Sequence, residues 1–211
     1  MQQTGSNMTD MLYFLDLLGT AAFAASGALT GVRKQMDLLG VVVLGIVTAT
    51  GGGVLRDVLM NDLPPFCFKN EIYLYLAIGS SLVVFITPRR FEQQRNLMLI
   101  LDALGLGTFA VIGTMKSITY HLGFMGAIIM GVMTATCGGL VRDVLCNDIP
   151  LILQREIYAT ACIAGCTVLY VMSLYSFPQT VSLTVSATIV IAIRCAAILG
   201  GWQLPRKLPR E

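Results

Sequence analysis

Apolar residues gather in seven stretches: Met11 to Val32, Leu38 to Met60, Ile72 to Thr87, Leu97 to Met115, Leu122 to Cys146, Ile157 to Tyr175 and Val181 to Gly201. About 20 apolar residues in a helix cross roughly 30 Å of hydrocarbon. The pattern therefore predicts seven transmembrane helices, the third being the shortest. Turn formers and charges collect in the breaks: Arg33 to Asp37, Asn61 to Asn70, Pro88 to Asn96, Lys116 to His121, Asn147 to Glu156 and Ser176 to Thr180. No break is long enough to separate domains, so residues 1–211 are expected to form a single membrane domain.

The pattern also repeats. Asp16 to Pro64, shifted by 86 positions, falls on Asp102 to Pro150 with 20 of 49 residues identical, including six glycines and the string TAT-x-GG-x-x-RDVL-x-ND-x-P. This is an internal duplication. Repeat 1 takes residues 12–88 and helices one to three, repeat 2 takes 97–175 and helices four to six, and a seventh helix at 181–201 stands alone. Three crossings per repeat turn the second upside down, so the expected fold class is all-α integral membrane with two inverted repeats, an arrangement typical of transport proteins.

Composition agrees with a membrane protein: 55% of residues are hydrophobic and 12% charged. A formal net charge of +2, without a Lys/Arg block, gives no reason to expect a nucleic-acid partner. Arg33, Lys34, Arg89, Arg90, Arg95, Arg142, Arg155, Arg206, Lys207 and Arg210 fall on one side, against Arg56, Lys69 and Lys116 on the other, with Arg194 inside helix seven. The side rich in Lys and Arg faces the cytoplasm, which places the N-terminus outside and the C-terminus inside. The first stretch lacks a basic leader, contains Asp16 and is followed by Arg33-Lys34; it is expected to be a retained helix rather than a cleaved signal.

Helix two carries Gly51, Gly52 and Gly53 near its middle, and helix five carries Gly138 and Gly139 at the matching point. Each interior glycine costs about 1 kcal/mol relative to alanine, so both helices are expected to kink or break there. A broken turn in hydrocarbon is tolerable only beside protein or trapped water, where its carbonyls become cation ligands. Thr48, Thr50, Thr134 and Thr136 flank the glycines and add hydroxyls. The alternative is that the glycines only let helices approach closely.

Arg56-Asp57 and Arg142-Asp143 follow. Neighbouring side chains on a helix diverge by about 100°, so each charge is expected to reach another helix rather than its neighbour, as a charge at a pore mouth or gate or as a clamp. Asn61-Asp62-x-Pro64 and Asn147-Asp148-x-Pro150 predict helix stops. Asp16 and Asp102 are assigned to helix N-termini, with attraction of cations as the alternative, and Tyr73 and Tyr158 to interfacial anchoring.

Other chemistries find little support. The six cysteines lie mostly in apolar stretches and His121 is alone in a connection, so no metal centre or nucleophile–base couple is expected. There is no phosphate-cradling loop, hence no ATP. A carboxylate-pair hydrolase needs two neighbouring acids, whereas inversion sends Asp57 and Asp143 toward opposite faces. No enzymatic activity and no cofactor are expected.

The strings F-A-x-x-G in helix one, TATGGGVLRD in helix two and TATCGGLVRD in helix five resemble the prokaryotic members of the trimeric intracellular cation channel (TRIC) family, also described as a glycine-transporter or UPF0126-type domain. The resemblance spans nearly the whole chain. It implies a homotrimer in the inner membrane with a pore in each protomer, bordered by Gly51, Gly52, Gly53, Arg56 and Asp57 on one side and Gly138, Gly139, Arg142 and Asp143 on the other. Cys137 departs from the pattern where repeat 1 has Gly51, and the Lys-Glu-Val motif of animal members is missing. The expected function is a monovalent-cation channel passing K+ or Na+. The alternative is a secondary carrier for a small neutral amino acid such as glycine.

Overall fold

The computed structural model describes residues 2–87, 96–154 and 156–201. Arg89, Arg90, Arg95, Arg155, Arg206, Lys207 and Arg210, which supply most of the charge asymmetry, lie outside them. The described residues form helices α1 (Gln2–Arg33), α2 (Leu38–Leu59), α3 (Phe66–Lys69), α4 (Ile72–Ile86), α5 (Leu97–Thr119), α6 (Phe124–Leu145), α7 (Leu151–Gln154), α8 (Glu156–Leu174) and α9 (Gln179–Gly200). Six of them, α1, α2, α5, α6, α8 and α9, are long and apolar enough to cross a membrane; α4 is apolar but shorter.

Helix ends and apolar stretches do not coincide everywhere. An apolar run marks hydrocarbon, whereas a helix continues through any polar residue that tolerates it. α1 thus begins well before Met11, which puts Asp16 in mid-helix rather than at an N-terminus, and α5 continues to Thr119, which puts Lys116 on a helix rather than in a connection. The short helices α3 and α7 lie inside the expected connections, after Pro65 and Pro150.

Helix stops recur with the sequence shift. Asn61 and Asn147 take φ of 54° and 55°, and Gln35 and His121 both 58°. Asparagine tolerates this left-handed region better than most residues. After α2 the Asp62 amide donates to the Asp57 carbonyl at 2.9 Å, and after α6 the Asp148 amide donates to Asp143 at 2.9 Å, closing each helix end.

α1 packs on α5 and α2 on α6; α4 leans on α1 and α2 as α8 leans on α5 and α6, and α9 lies against α5 and α8. At the centre the rings of Phe23 and Phe109 stack 5.4 Å apart at 6°. The contact is reciprocal, because a Cβ at Gly19 would meet Phe109 and one at Gly105 would meet Phe23. Between helices in lipid, association rests on close van der Waals packing at small residues rather than on exclusion of water, and these glycines give the rings that closeness. Among the helices of the described residues, only α9 has no counterpart.

Candidate functional site

No broken turn stands at the glycines. α2 runs without interruption through Gly51, Gly52 and Gly53, and α6 through Gly138 and Gly139. A glycine's helix penalty is small beside the several kcal/mol of leaving a backbone group unbonded in hydrocarbon, so the ladder closes. What the glycines do is bring two backbones together. A Cβ at Gly52 would overlap the Thr134 carbonyl oxygen, and one at Gly138 would overlap the Thr48 carbonyl oxygen. These two contacts exchange under the 86-residue shift. Gly51 is more open, with the Gly138 Cα 3.7 Å from its would-be Cβ, while the ring of Phe66 covers Gly53.

The threonines are turned inward. Thr48 donates to the Leu44 carbonyl at 2.6 Å, Thr50 to Ile46 at 2.8 Å and Thr134 to Met130 at 2.7 Å. Thr48 and Thr134 also pack on Gly27 of α1 and Gly113 of α5 respectively. Their hydroxyls therefore face neighbouring helices. Thr136 is buried as well.

Beyond the crossing, each helix ends in a charged cluster. Contrary to expectation the Arg-Asp dipeptides bond internally, although Arg142 and Asp57 also reach other helices as expected: the Arg56 Nε donates to Asp57 Oδ1 at 2.8 Å, and the Arg142 Nε to Asp143 Oδ1 at 2.8 Å. The arginine stem is long enough to fold back and offer Nε while the rest of the guanidinium points elsewhere. The other carboxylate oxygen caps the next short helix, since Asp57 Oδ2 accepts from the Phe66 amide at 2.8 Å and Asp143 Oδ2 from the Leu151 amide at 2.9 Å.

From there the clusters diverge. In the first, the Lys116 ammonium donates to Asp57 Oδ1 at 2.7 Å and also pairs with Asp62, which Lys69 holds too. The Lys116 and Lys69 hydrogen bonds hold the Asp62 carboxyl down at about 2. The Arg56 guanidinium sits over the Phe66 ring at 5.6 Å, and the Tyr73 hydroxyl donates to Asp16 Oδ2 at 3.1 Å. In the second, Arg142 donates to Asp102 Oδ1 and to the Ser26 hydroxyl, both at 2.7 Å. Arg194 of α9 lies over the Tyr158 ring at 4.7 Å.

Several of these residues escaped the sequence reading. Asp16 and Asp102 join the arginine clusters, and Tyr73 and Tyr158 are buried in the bundle rather than anchored at an interface. The available signal was that all four recur under the duplication, Asp16 with Asp102 and Tyr73 with Tyr158, although neither Lys116 nor Ser26 has a like partner in the other half.

A family model described as "Glycine transporter" matches residues 13–89 and again 99–173. The inner membrane protein YadS of Escherichia coli K12, a UPF0126 protein, is 40% identical over 198 residues, covering 92% of this chain and 95% of that one. The chain belongs to the TRIC/UPF0126 family. Another family member, a UPF0126 membrane protein of Deinococcus radiodurans, is 38% identical over 177 residues, 83% of this chain and 82% of that one. Solved TRIC structures superpose closely. One, from work on conductance through TRIC cation channels, gives a TM-score of 0.86 at 39% identity over 94% of this chain and 98% of that one. The trimeric intracellular cation channel orthologue from Rhodobacter sphaeroides gives 0.87 at 34% identity over 91% and 99%. This TRIC/UPF0126 protein is thus an all-helical membrane protein with the TRIC channel fold.

Proposed function

We propose that this protein is a passive channel for monovalent cations, K+ or Na+, in the inner membrane, with a conduction path inside each protomer of a homotrimer. The observation that carries the reading is the likeness, over nearly the whole chain, to solved TRIC cation channels. Ionised groups at membrane depth are costly and tend to mark ion pathways. Here they stand at matching places in both halves, which adds support. The reciprocal contacts of Gly52 with Thr134, Gly138 with Thr48, and Phe23 with Phe109 fit two three-helix repeats related by a two-fold axis, the second inverted. The N-terminus is assigned to the outside and the C-terminus to the cytoplasm from the Lys/Arg bias.

The path is assigned to the seam between α2 and α6. Helix-break carbonyls are not its ligands, because the helices are continuous. Gly51 and Cys137 are half-buried where Gly52, Gly53, Gly138 and Gly139 are sealed, so the wider side of the seam lies there, with Thr50 and Thr136 beside it. The clusters of Arg56-Asp57 and Arg142-Asp143 act as the two gates, and conduction follows when the tight crossing relaxes. A carrier of a small amino acid is the second reading, favoured by the family's description as a glycine transporter. It lacks the half-helix N-terminus that would hold a carboxylate, since α2 and α6 run unbroken.

Recording from purified protein in planar bilayers tests the choice. Discrete K+ current steps are expected. Saturable uptake of labelled glycine by reconstituted vesicles, without unitary currents, would replace the channel by the carrier.

A further inference from the structure

We propose that Asp16 and Asp102 are exchangeable gate carboxylates. Each has two available partners, the tyrosine of its third spanning segment and the arginine of its second, and the two halves hold opposite choices. In the first half Asp16 accepts from Tyr73 at 3.1 Å, while Asp16 Oδ1 and Arg56 Nη1 are both buried without a partner. In the second half Asp102 accepts from Arg142 at 2.7 Å, while Asp102 Oδ2 is buried without one. The Tyr158 hydroxyl and Asp102 Oδ1 both lie over Gly139, 3.0 and 3.4 Å from the point where its Cβ would stand, yet no hydrogen bond joins them. The bond made in one half is the bond left open in the other.

Residue types at the three positions are the same in both halves, so local chemistry does not fix the choice. The surroundings do. Phe66 places a ring beneath the Arg56 guanidinium at 5.6 Å and holds it away from Asp16. Leu151 occupies the corresponding place after α6 and has no ring to offer, and Arg142 turns to Asp102. Buried polar groups without partners are rare and costly, and four such atoms, Asp16 Oδ1, Arg56 Nη1, Asp102 Oδ2 and Arg142 Nη2, sit in this set. Each half therefore displays the arrangement the other can adopt. The structure is one member of a pair of states in which Asp16 moves from Tyr73 to Arg56 as Asp102 moves from Arg142 to Tyr158. On the channel reading above, that exchange couples the two gates.

Tyr73→Phe removes the present partner of Asp16 with little change of shape, and Phe66→Leu removes the ring that holds Arg56. A structure of each variant as the purified full chain is the direct test. Expected is an Arg56 nitrogen within hydrogen-bond distance of Asp16 in both. Asp16 remaining without a guanidinium in both variants would overturn the exchange. Currents give an independent readout: losing one charged hydrogen bond shifts a two-state balance by about tenfold. Tyr73→Phe and Tyr158→Phe should therefore change open probability by about that factor in opposite directions, and a shift in the same direction counts against the proposal. If the wild type carries no unitary current, the channel reading fails and the two structures still decide the exchange.

Discussion

At the end of α2, Lys116 ties the fully buried Asp57 to Asp62, whose side chain is 27% exposed, and Lys69 extends the chain of charges toward water. At the end of α6 the same string of residues builds a sealed knot, with Arg142 and Asp102 both at 0%. Asp148 is left to a separate surface pair with Lys34 at 2.6 Å. The string Arg-Asp-Val-Leu-x-Asn-Asp sets where the charges stand along each helix. Its neighbours decide what they do. α5 brings a lysine to the first cluster, and α1 brings only the Ser26 hydroxyl to the second. A charge in contact with water keeps part of its solvation, while a sealed one depends wholly on its partners.

That contrast is open to measurement by thermal unfolding in detergent. The largest effect is expected for Arg142→Met, which strands Asp102 and Asp143 and should cost about 3–5 kcal/mol. Arg56→Met should cost clearly less, because Lys116 stays on Asp57; equal losses would mean that the two clusters do not differ in energy. Next comes Lys116→Ala, expected to cost about 1.5–3 kcal/mol as a charged hydrogen bond to a buried acid, against a clearly smaller loss for Lys34→Ala at the exposed pair. Parity between the two lysines would erase the distinction.

The glycine crossing sharpens the comparison from the other side, because there the halves are alike. Gly52→Ala and Gly138→Ala each drive a methyl into a backbone carbonyl, and each should cost about 1–3 kcal/mol by a similar amount. Gly79→Ala, with nothing within 4 Å of its would-be Cβ, should be neutral or gain up to about 1 kcal/mol. Unequal losses at Gly52 and Gly138 would show that the contact is not reciprocal in energy.

The smallest effect concerns acid. Asp62 is held at about 2, below its ordinary 3.8, by its hydrogen bonds from Lys116 and then Lys69. A lowered carboxyl contributes stability that is complete above 3.8 and fades as pH falls through about 2. The melting temperature should therefore drop over that window, and Asp62→Asn should flatten that drop. An unchanged slope in the variant would assign the acid sensitivity elsewhere.

Much of this was legible in the residues. Long apolar stretches placed the spanning helices, and Asn61 and Asn147 marked where α2 and α6 stop, because turn chemistry is local. The state of α2 and α6 at their glycines was not, since propensity measured in water weighs a helix against a solvated coil, an option hydrocarbon withholds. Nor were Lys116 as a partner of Asp57, and Asp102 and Ser26 as partners of Arg142, which come from helices distant in sequence. Asp16 and Tyr73 are separated by an entire hairpin, and only their recurrence as Asp102 and Tyr158 hinted that they belong together.

The seventh helix has a consequence of its own. Because α9 lies on α5 and α8 and sets the Arg194 guanidinium over Tyr158, it adds a positive charge to the second half, while Lys116 adds one of a different setting to the first. Two matched halves would pass ions equally in either direction. On the channel reading, ends charged differently make current–voltage curves in symmetric salt bend, and Arg194→Gln should change that bend.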